Sequence, residues 1–253
     1  MPCAPNYGPA AKDRTMKLAE RLHFYHRAWR YRLRTERDEL AFVRNCELRG
    51  ATVLDIGANR GIYSYWLHRQ VGPAGHVIAF EPQPELCDGL DRLKSALALK
   101  RLTIVPSALS SACGQAQLMR PHNHWGGASL TRKATSPAEM LSVATTTLDA
   151  FFAHHPQRPI KFIKCDVEGH ELDCLRGGER LLAEDRPTLL LEATDAEYGP
   201  LASYLQPLGY AGYFLYRRQK YPIAELAHWR ARLRPLHLNY VFEPEMQRAR
   251  RAA

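Results

Sequence analysis

Cysteine is scarce and never paired in motif form. The six cysteines (Cys3, Cys46, Cys87, Cys113, Cys165, Cys174) make no C-x-x-C unit and meet no histidine cluster at zinc spacing. A disulfide framework and a structural zinc site are therefore not expected, and scattered reduced thiols fit a cytoplasmic protein. No apolar run reaches the ~18 residues that a membrane span needs. The first residues lack an apolar core of the kind a secretory signal has, so none is expected. No internal repeat is present, and low-complexity sequence is confined to the ends. Acidic residues are in deficit, 26 against 35 Lys and Arg, for a formal charge of +9.

The basic excess is uneven. Arg21, Arg27, Arg30, Arg32, Arg34 and Arg37 crowd one early segment. Arg217, Arg218, Lys220, Arg230, Arg232, Arg234, Arg248, Arg250 and Arg251 load the end. Such patches are either solvated surface or an attraction for nucleic acid, an anionic lipid surface or an acidic substrate. Aromatics alternate with the early arginines (Phe24, Tyr25, Trp29, Tyr31) at helical spacing, which predicts that they pack onto the domain.

What is present is an α/β pattern. Residues 1–13 are rich in Pro, Gly and Ala and read as disordered. From Thr15 to about Cys46 the chain reads as one or two helices, with Leu18, Leu22, Tyr25 and Trp29 on one face, lying over a ligand cleft. Seven strands follow: from Thr52, Val77–Phe80, Leu102–Val105, Ile160–Ile163, Thr188–Leu191, Tyr210–Tyr216 and Leu238–Phe242. Leu86–Leu99 is a crossover helix, and Leu148–Phe152 starts the helix before the fourth strand. Leu109–Met119 reads as a hairpin or irregular strand, and 121–130 as a polar, glycine-bearing loop. The division expected is 1–49 as a helical extension, 50–245 as the main domain and 246–253 as a basic tail.

Three strand ends carry the chemistry. Val53-Leu54-Asp55-Ile56-Gly57-Ala58-Asn59-Arg60-Gly61 is a buried strand and its glycine turn, opening into the helix that begins Ile62-Tyr63. Gly57 can take positive φ and admit a close ligand, and a helix N-terminus favours polar or anionic groups. The second strand ends in Glu81, about 20 residues past the turn, where an acid commonly holds ribose hydroxyls. A dinucleotide fingerprint would need glycine at position 59, and Asn59 stands there. Asp55, two residues before Gly57, would repel a pyrophosphate but not an amine-bearing cation. S-adenosylmethionine, with a sulfonium, an amine, a ribose and no phosphate, fits this turn. The fourth strand ends in Asp166-Val167-Glu168-Gly169-His170-Glu171, the most acidic turn of the chain, placed where open α/β sheets bind ligands.

V-L-D-I-G-A-N-R-G, V-I-A-F-E-P-Q-P, T-T-L-D-A-F-F, F-I-K-C-D-V-E-G-H-E and L-R-G-G together resemble the FkbM family of S-adenosylmethionine-dependent methyltransferases, over residues 50–192 and on to Asn239-Tyr240-Val241-Phe242. The resemblance implies a class I, Rossmann-like methyltransferase fold: a seven-stranded, mostly parallel sheet flanked by helices, here with an N-terminal helical extension. It also implies oxygen methylation, often of sugars or glycan-like natural products.

In such a fold Asp55, Gly57, Asn59, Gly61 and Glu81 hold the donor. Ser107 and Ala108 lie near its adenine, and Tyr63 covers its methionine end. Asp166 binds the donor amine, orients the acceptor or acts as base. Glu168 and His170 complete the catalytic group, although a histidine at a helix start also caps or packs. Glu171 faces solvent or caps. Glu192 lies beside Asp166 as a second acid or a structural acceptor, and His122 and His124 are acceptor-site candidates. A sugar hydroxyl is a weak acid, so a base or a metal must assist. Asp166, Glu168 and Glu192 offer oxygen ligands suited to Mg²⁺ or Ca²⁺, and without a cation they would repel one another. The expected partner is a small molecule or glycan. Two other readings stay open: a nucleic-acid methyltransferase, disfavoured by acids where base methylases carry a polar-Pro-Pro-aromatic motif, and a non-catalytic binding protein.

Overall fold

Near-continuous apolar runs, bounded by glycine turns and separated by helical segments, build parallel strands buried on both faces. The structure, a computed structural model, describes residues 16–122, 125–133, 137–153, 155–229 and 237–245. The expected features at 1–13 and 246–253, and His124, lie outside them.

Two helices come first, α1 (Leu18–Arg30) and α2 (Arg37–Asn45), joined by one wide turn of π-helix at Tyr31–Thr35. The chain then alternates: β1 (Thr52–Ile56), α3 (Ile62–Val71), β2 (His76–Phe80), α4 (Pro84–Ala96) and β3 (Leu102–Val105). Next come β4 (Ala108–Leu109), β5 (Gly114–Pro121) and β6 (Ala138–Thr146). The second half runs α5 (Leu148–Phe152), β7 (Ile160–Cys165), α6 (Glu171–Arg176), α7 (Glu179–Asp185), β8 (Thr188–Thr194) and α8 (Asp195–Leu205). It ends with β9 (Tyr210–Tyr216), β10 (Gln219–Pro222), α9 (Leu226–Trp229) and β11 (His237–Pro244).

The main sheet has the order β10-β9-β11-β8-β7-β1-β2-β3. β3, β2, β1, β7 and β8 are mutually parallel, and β11 runs antiparallel between β8 and β9. Eight strands stand where seven were expected. The additional strand, β10, folds back on β9 with Gln219 opposite Tyr216. Arg217 and Arg218 form the two-residue turn, both at positive φ (51° and 64°). Such turns are usually recognised by Asn-Gly; two arginines conceal this one. The segment expected as a hairpin or irregular strand is instead part of a separate three-stranded sheet, β4-β6-β5. It stands above the carboxyl ends of the parallel strands and forms one wall of the ligand cleft.

Alternation along β1, β7 and β8 divides the core. Leu54, Ile56, Ile163, Cys165, Leu189 and Leu191 face one cluster, with α5 to α8. Val53, Phe162 and Leu190 face the other, with α1, α2 and α3. Asp55, Lys164 and Glu192 continue the second face, two residues further on in each strand. Thus three charged side chains on adjacent strands point into the space roofed by the N-terminal helices.

The N-terminal helix corrects one expectation. Phe24 and Ala28, not Leu18 and Leu22, pack onto the domain, and the Phe24 ring meets Tyr65 edge-on. Leu18, Leu22, Trp29 and Leu33 are 70%, 60%, 46% and 56% exposed. Periodicity marked an apolar face correctly, but the domain takes the neighbouring face, where Phe24 packs on Tyr65 and the small Ala28 lets α1 approach α3.

The Arg-Arg turn generates a stability test. Replacing Arg217 and Arg218 by Asn and Gly removes left-handed strain of about 1 kcal/mol or more, less the loss of the Arg217 contact over Tyr216. The melting midpoint should rise by about 2–4 °C. A lower midpoint by calorimetry would show that the arginine contacts outweigh the strain.

Candidate active site

The turn after β1 is held by its neighbours before any ligand is considered. Gly57 and Gly61 have φ of 77°, and Asn59 has φ of 50°. A Cβ on Gly57 would lie 1.9 Å from the Asp166 carbonyl oxygen, so the glycine permits the turns after β1 and β7 to touch. A Cβ on Gly61 would meet Leu90 and Leu93 of α4 within 2.8 Å. Asn59 donates its N–H to Glu81 at 2.8 Å, and Gln83 donates its N–H to the other Glu81 oxygen at 3.0 Å. Burial raises the Glu81 carboxyl to about 7 against these hydrogen bonds.

Glu81, Gly57, Asn59, Ser107, Ala108, Asp166, Glu168 and His170 line one pocket, roofed by the Trp125–Leu130 segment. Sequence positions up to 113 residues apart in the chain, from Gly57 to His170, thus meet as expected from a single ligand site. Ser107 presents no free hydroxyl to it, because its Oγ donates to the Ala108 and Ala144 carbonyls at 3.1 Å. Gln83, which the sequence reading did not single out, gives Nε2 to the Trp125 carbonyl at 3.2 Å, while its Oε1 is buried with no partner.

Asp55 and Tyr63 lie outside this pocket, in an adjoining recess with Lys164 and Glu36. The Asp55 carboxylate accepts from Ser64 Oγ, and burial lifts its pKa to about 6. Tyr63 donates its hydroxyl to Glu36. Both therefore reinforce the turn from behind rather than line the pocket itself.

Lys164 is the residue the sequence reading missed as a site component. It is 1% exposed, with Nζ 3.4 Å from Asp166 Oδ2, 4.0 Å from Glu192 Oε2 and 5.0 Å from the centre of the Tyr63 ring. Its Nζ makes no hydrogen bond in normal geometry. Burial opposes its charge, but Asp166, Glu192, Glu36 and Asp55 outweigh burial and hold its pKa above the ordinary value. The only sequence signal was a lysine interrupting a strand that ought to be wholly apolar. Glu36 was missed too, because it comes from the N-terminal helical segment; burial raises its pKa first, and Lys164 opposes the rise. Glu39 is raised to about 7, again chiefly by burial.

Glu192 does lie beside Asp166. Burial and then the Asp166 charge lift it to about 8, against the pull of Lys164. Glu168 is drawn away from this pair. Its φ is 56° and its carboxylate pairs with Arg132, which also reaches Glu197 at 3.1 Å. Asp166, Glu168 and Glu192 therefore do not converge as a ligand set, and no group of three or more His, Cys, Asp or Glu is arranged for a metal among the described residues. The cation that the acids require is the Lys164 ammonium.

His170 has both ring nitrogens engaged, Nδ1 with Thr131 Oγ1 at 2.9 Å and Nε2 with Ser110 Oγ at 3.0 Å. Burial lowers its pKa, with Asp173 opposing. Glu171 is not solvent-facing: it is buried and accepts from the Val167 and Gly169 N–H groups at 2.9 and 3.1 Å. The acidic turn is thus clasped from below by Glu171. From above it is held by a flap, in which Ser129 Oγ donates to the Glu168 carbonyl at 2.7 Å.

Beyond Asp166 opens a second, polar cleft of about 380 Å³, reached by Arg27, Tyr31, Glu36, Arg60, His122 and Glu192. The N-terminal helices do lie over the ligand cleft. The first pocket itself is closed to about 60 Å³. Small-molecule sites begin near 300 Å³, and this pocket is smaller with the flap in its present position.

The chain matches the sequence profile of the methyltransferase FkbM domain over residues 55–242. Its fold is that of the S-adenosylmethionine-dependent methyltransferases. It belongs to the FkbM methyltransferase family. The methyltransferase FkbM of Methylobacillus flagellatus KT superposes with a TM-score of 0.52 at 16% identity, covering 78% of this chain and 45% of that one. The present chain therefore spans less than half of that relative's length. An S-adenosylmethionine-dependent methyltransferase of Aquifex aeolicus gives 0.47 at 15% identity (88% and 96% covered). An rRNA methylase of Streptococcus thermophilus gives 0.47 at 15% (83% and 94%). No curated protein matches the chain. No helix among the described residues is long and apolar enough to cross a membrane.

The buried acids predict a pH effect. In the unfolded chain they lose protons near their ordinary values. In the fold Asp55 keeps its proton to about 6, Glu81 and Glu171 to about 7 and Glu192 to about 8. The folded state binds more protons between those limits, so stability falls as pH rises through that window. The melting midpoint should be higher near pH 5.5 than near pH 8, and Glu192→Gln should flatten the slope. A midpoint that climbs with pH would contradict this assignment.

Proposed function

We propose that the protein transfers the methyl group of S-adenosylmethionine to a hydroxyl of a carbohydrate, glycan or related small metabolite. The observation that carries the reading is the carboxyl pair Asp166–Glu192, anchored on a buried ammonium at the junction between the donor pocket and the polar cleft. S-adenosylmethionine, when bound, supplies a methyl already activated on a sulfonium.

The residues fit that donor. Glu81 presents a buried carboxyl group, and Gln83 Oε1 offers an acceptor with no present partner, as a ribose would require. Asn59 keeps Glu81 aimed, and Gly57 brings the turn close to Asp166. The acid-rich surroundings favour a cationic ligand over a pyrophosphate.

Asp166 is one-third exposed and faces both spaces, so it can meet the acceptor while Lys164 holds its position. The acceptor oxygen forms its bond to the methyl carbon as the carbon–sulfur bond breaks. Its proton passes to the Asp166–Glu192 pair, leaving an ether and a neutral thioether. A carboxyl pair beside a buried ammonium is suited to this, because the arriving proton neutralises an acid whose charge burial already disfavours. His170, with both nitrogens committed to hydroxyls, supports the flap and the acidic turn. Glu168 holds the flap through Arg132. No step is assigned to Mg²⁺ or Ca²⁺, whose ligand set the acids do not form. Glu36, Asp166 and Glu168 line the cleft around the reacting centre and would oppose a phosphate there, which disfavours nucleic acid, whereas Arg27 and Arg60 line it where it adjoins the space beyond Trp125.

Two variants test the division of labour. Glu81→Gln should weaken donor binding by about 1.5–3 kcal/mol, the cost of losing a hydrogen bond to a charged group, with the melt largely retained. Unchanged calorimetric affinity would remove Glu81 from the donor site.

Asp166→Asn should lower kcat on a hydroxylated acceptor by about 10²–10⁴-fold and donor affinity far less. The assay is donor turnover against fractionated glycans and small hydroxylated metabolites. Wild-type kcat in folded Asp166→Asn, or salt-sensitive methylation of nucleic acid instead, would overturn the reading.

A further inference from the structure

A third cavity lies on the other side of Trp125 and differs in character from the cleft. It encloses about 500 Å³ between α1 and α4, with Met16, Ala19, Phe24, Leu86 and Leu93 among its walls. Its acids are already committed: Glu85 pairs with Arg120 at 2.8 Å, and Glu20 accepts the Lys17 N–H at 2.8 Å. Arg27, Arg60 and Trp125 belong to both this chamber and the polar cleft. The two spaces therefore adjoin, with arginines at the junction. Arg27 Nε is buried there without a hydrogen-bond partner. A molecule spanning both would be apolar at one end, anionic in the middle and hydroxylated where it meets Asp166.

The outer face of α1 indicates where such a molecule comes from. Leu18, Leu22 and Leu33 recur on one side of the helix and its π-turn, all exposed, and Trp29 beside them is 46% exposed while one edge of its ring meets Trp66. Exposed Lys17, Arg30, Arg34 and Arg37 accompany them, in a chain of net charge +9. A helix with an aliphatic and tryptophan stripe among basic residues lies in the interface of an anionic bilayer. The same helix supplies the Ala19 and Phe24 walls of the chamber and, through Arg27, the junction with the cleft.

We propose that the acceptor is an anionic membrane amphiphile, taken from a bilayer on which α1 rests, with its apolar chain in the chamber under α1, its anionic group at Arg27 and Arg60, and its hydroxylated head at Asp166. This rests on the reading that the cleft methylates a hydroxyl; it adds what the acceptor carries besides that hydroxyl.

Gly89 of α4 lines the chamber, and a Cβ there meets nothing within 4 Å. Gly89→Phe and the milder Gly89→Leu should therefore fill the chamber without disturbing the helix. The probe is dansyl-undecanoate, an anionic amphiphile whose emission rises when its chain is buried. The full chain should bind it saturably. Gly89→Phe should bind it at least about tenfold more weakly, as expected when roughly two methylenes lose their seat, with Gly89→Leu between. Affinity for S-adenosylmethionine, and turnover on a small hydroxylated acceptor, should be unchanged in both. Absent binding by the wild type, or equal binding by folded Gly89 variants, overturns the chamber assignment while leaving hydroxyl methylation standing.

Sedimentation with vesicles distinguishes a bilayer from a free amphiphile. The wild type should pellet with phosphatidylglycerol vesicles and not with phosphatidylcholine vesicles, and Leu22→Glu with Trp29→Glu should abolish pelleting. Probe binding without vesicle binding overturns the bilayer as the source. A concentration-dependent dimer that the Leu22→Glu, Trp29→Glu variant dissolves would assign the stripe to a second copy of this chain and overturn it equally.

Discussion

One buried ammonium organises the end of the sheet where the chemistry lies. Lys164 is surrounded by Asp55, Asp166, Glu192 and Glu36, four carboxyls contributed by three strands and the N-terminal helical segment. A lone buried charge would be costly, and so would four acids pressed together. Each makes the other tolerable. The arrangement follows from strand alternation: Asp55 is in register with Lys164, and Lys164 with Leu190, which puts Glu192 two residues further along the same face.

The rest of the site is built outward from that point. Gly57 lets the turn after β1 touch the backbone at Asp166, and Asn59 ties the same turn to Glu81. The flap is secured on the acidic turn by Arg132, Ser129, Thr131 and His170. Trp125 is common to the donor pocket, the polar cleft and the apolar chamber. Its backbone is held by Gln83, and Arg120 stacks over its ring at 4.7 Å. A shift of Trp125 would therefore alter all three spaces at once.

Much of this was legible in the sequence because strand ends announce themselves. The apolar runs ending at Asp55, Glu81, Asp166 and Glu192 gave the parallel core and its polar edge. What escaped was whatever depends on partners distant in the chain. Lys164 looked like an interruption of a strand until four acids were seen around it. Glu36 was not singled out at all, because it belongs to the N-terminal helical segment, expected only to lie over the cleft. The Arg217-Arg218 turn lacked the residues that usually mark a hairpin, so one strand went uncounted. Leu18 and Leu22 showed that α1 has an apolar face, but periodicity does not say what that face meets.

The charge of the cleft has a consequence for the end of the reaction. Asp55, Asp166, Glu36 and Glu192 surround a single compensating lysine, and Glu168 is balanced by Arg132, so the walls of the cleft and its recess are suited to a cation. Transfer of the methyl group leaves a ligand with one positive charge fewer. In the proposed reaction, walls that hold the incoming molecule would be less suited to the spent one, so the same imbalance that tolerates Lys164 would favour product release over retention.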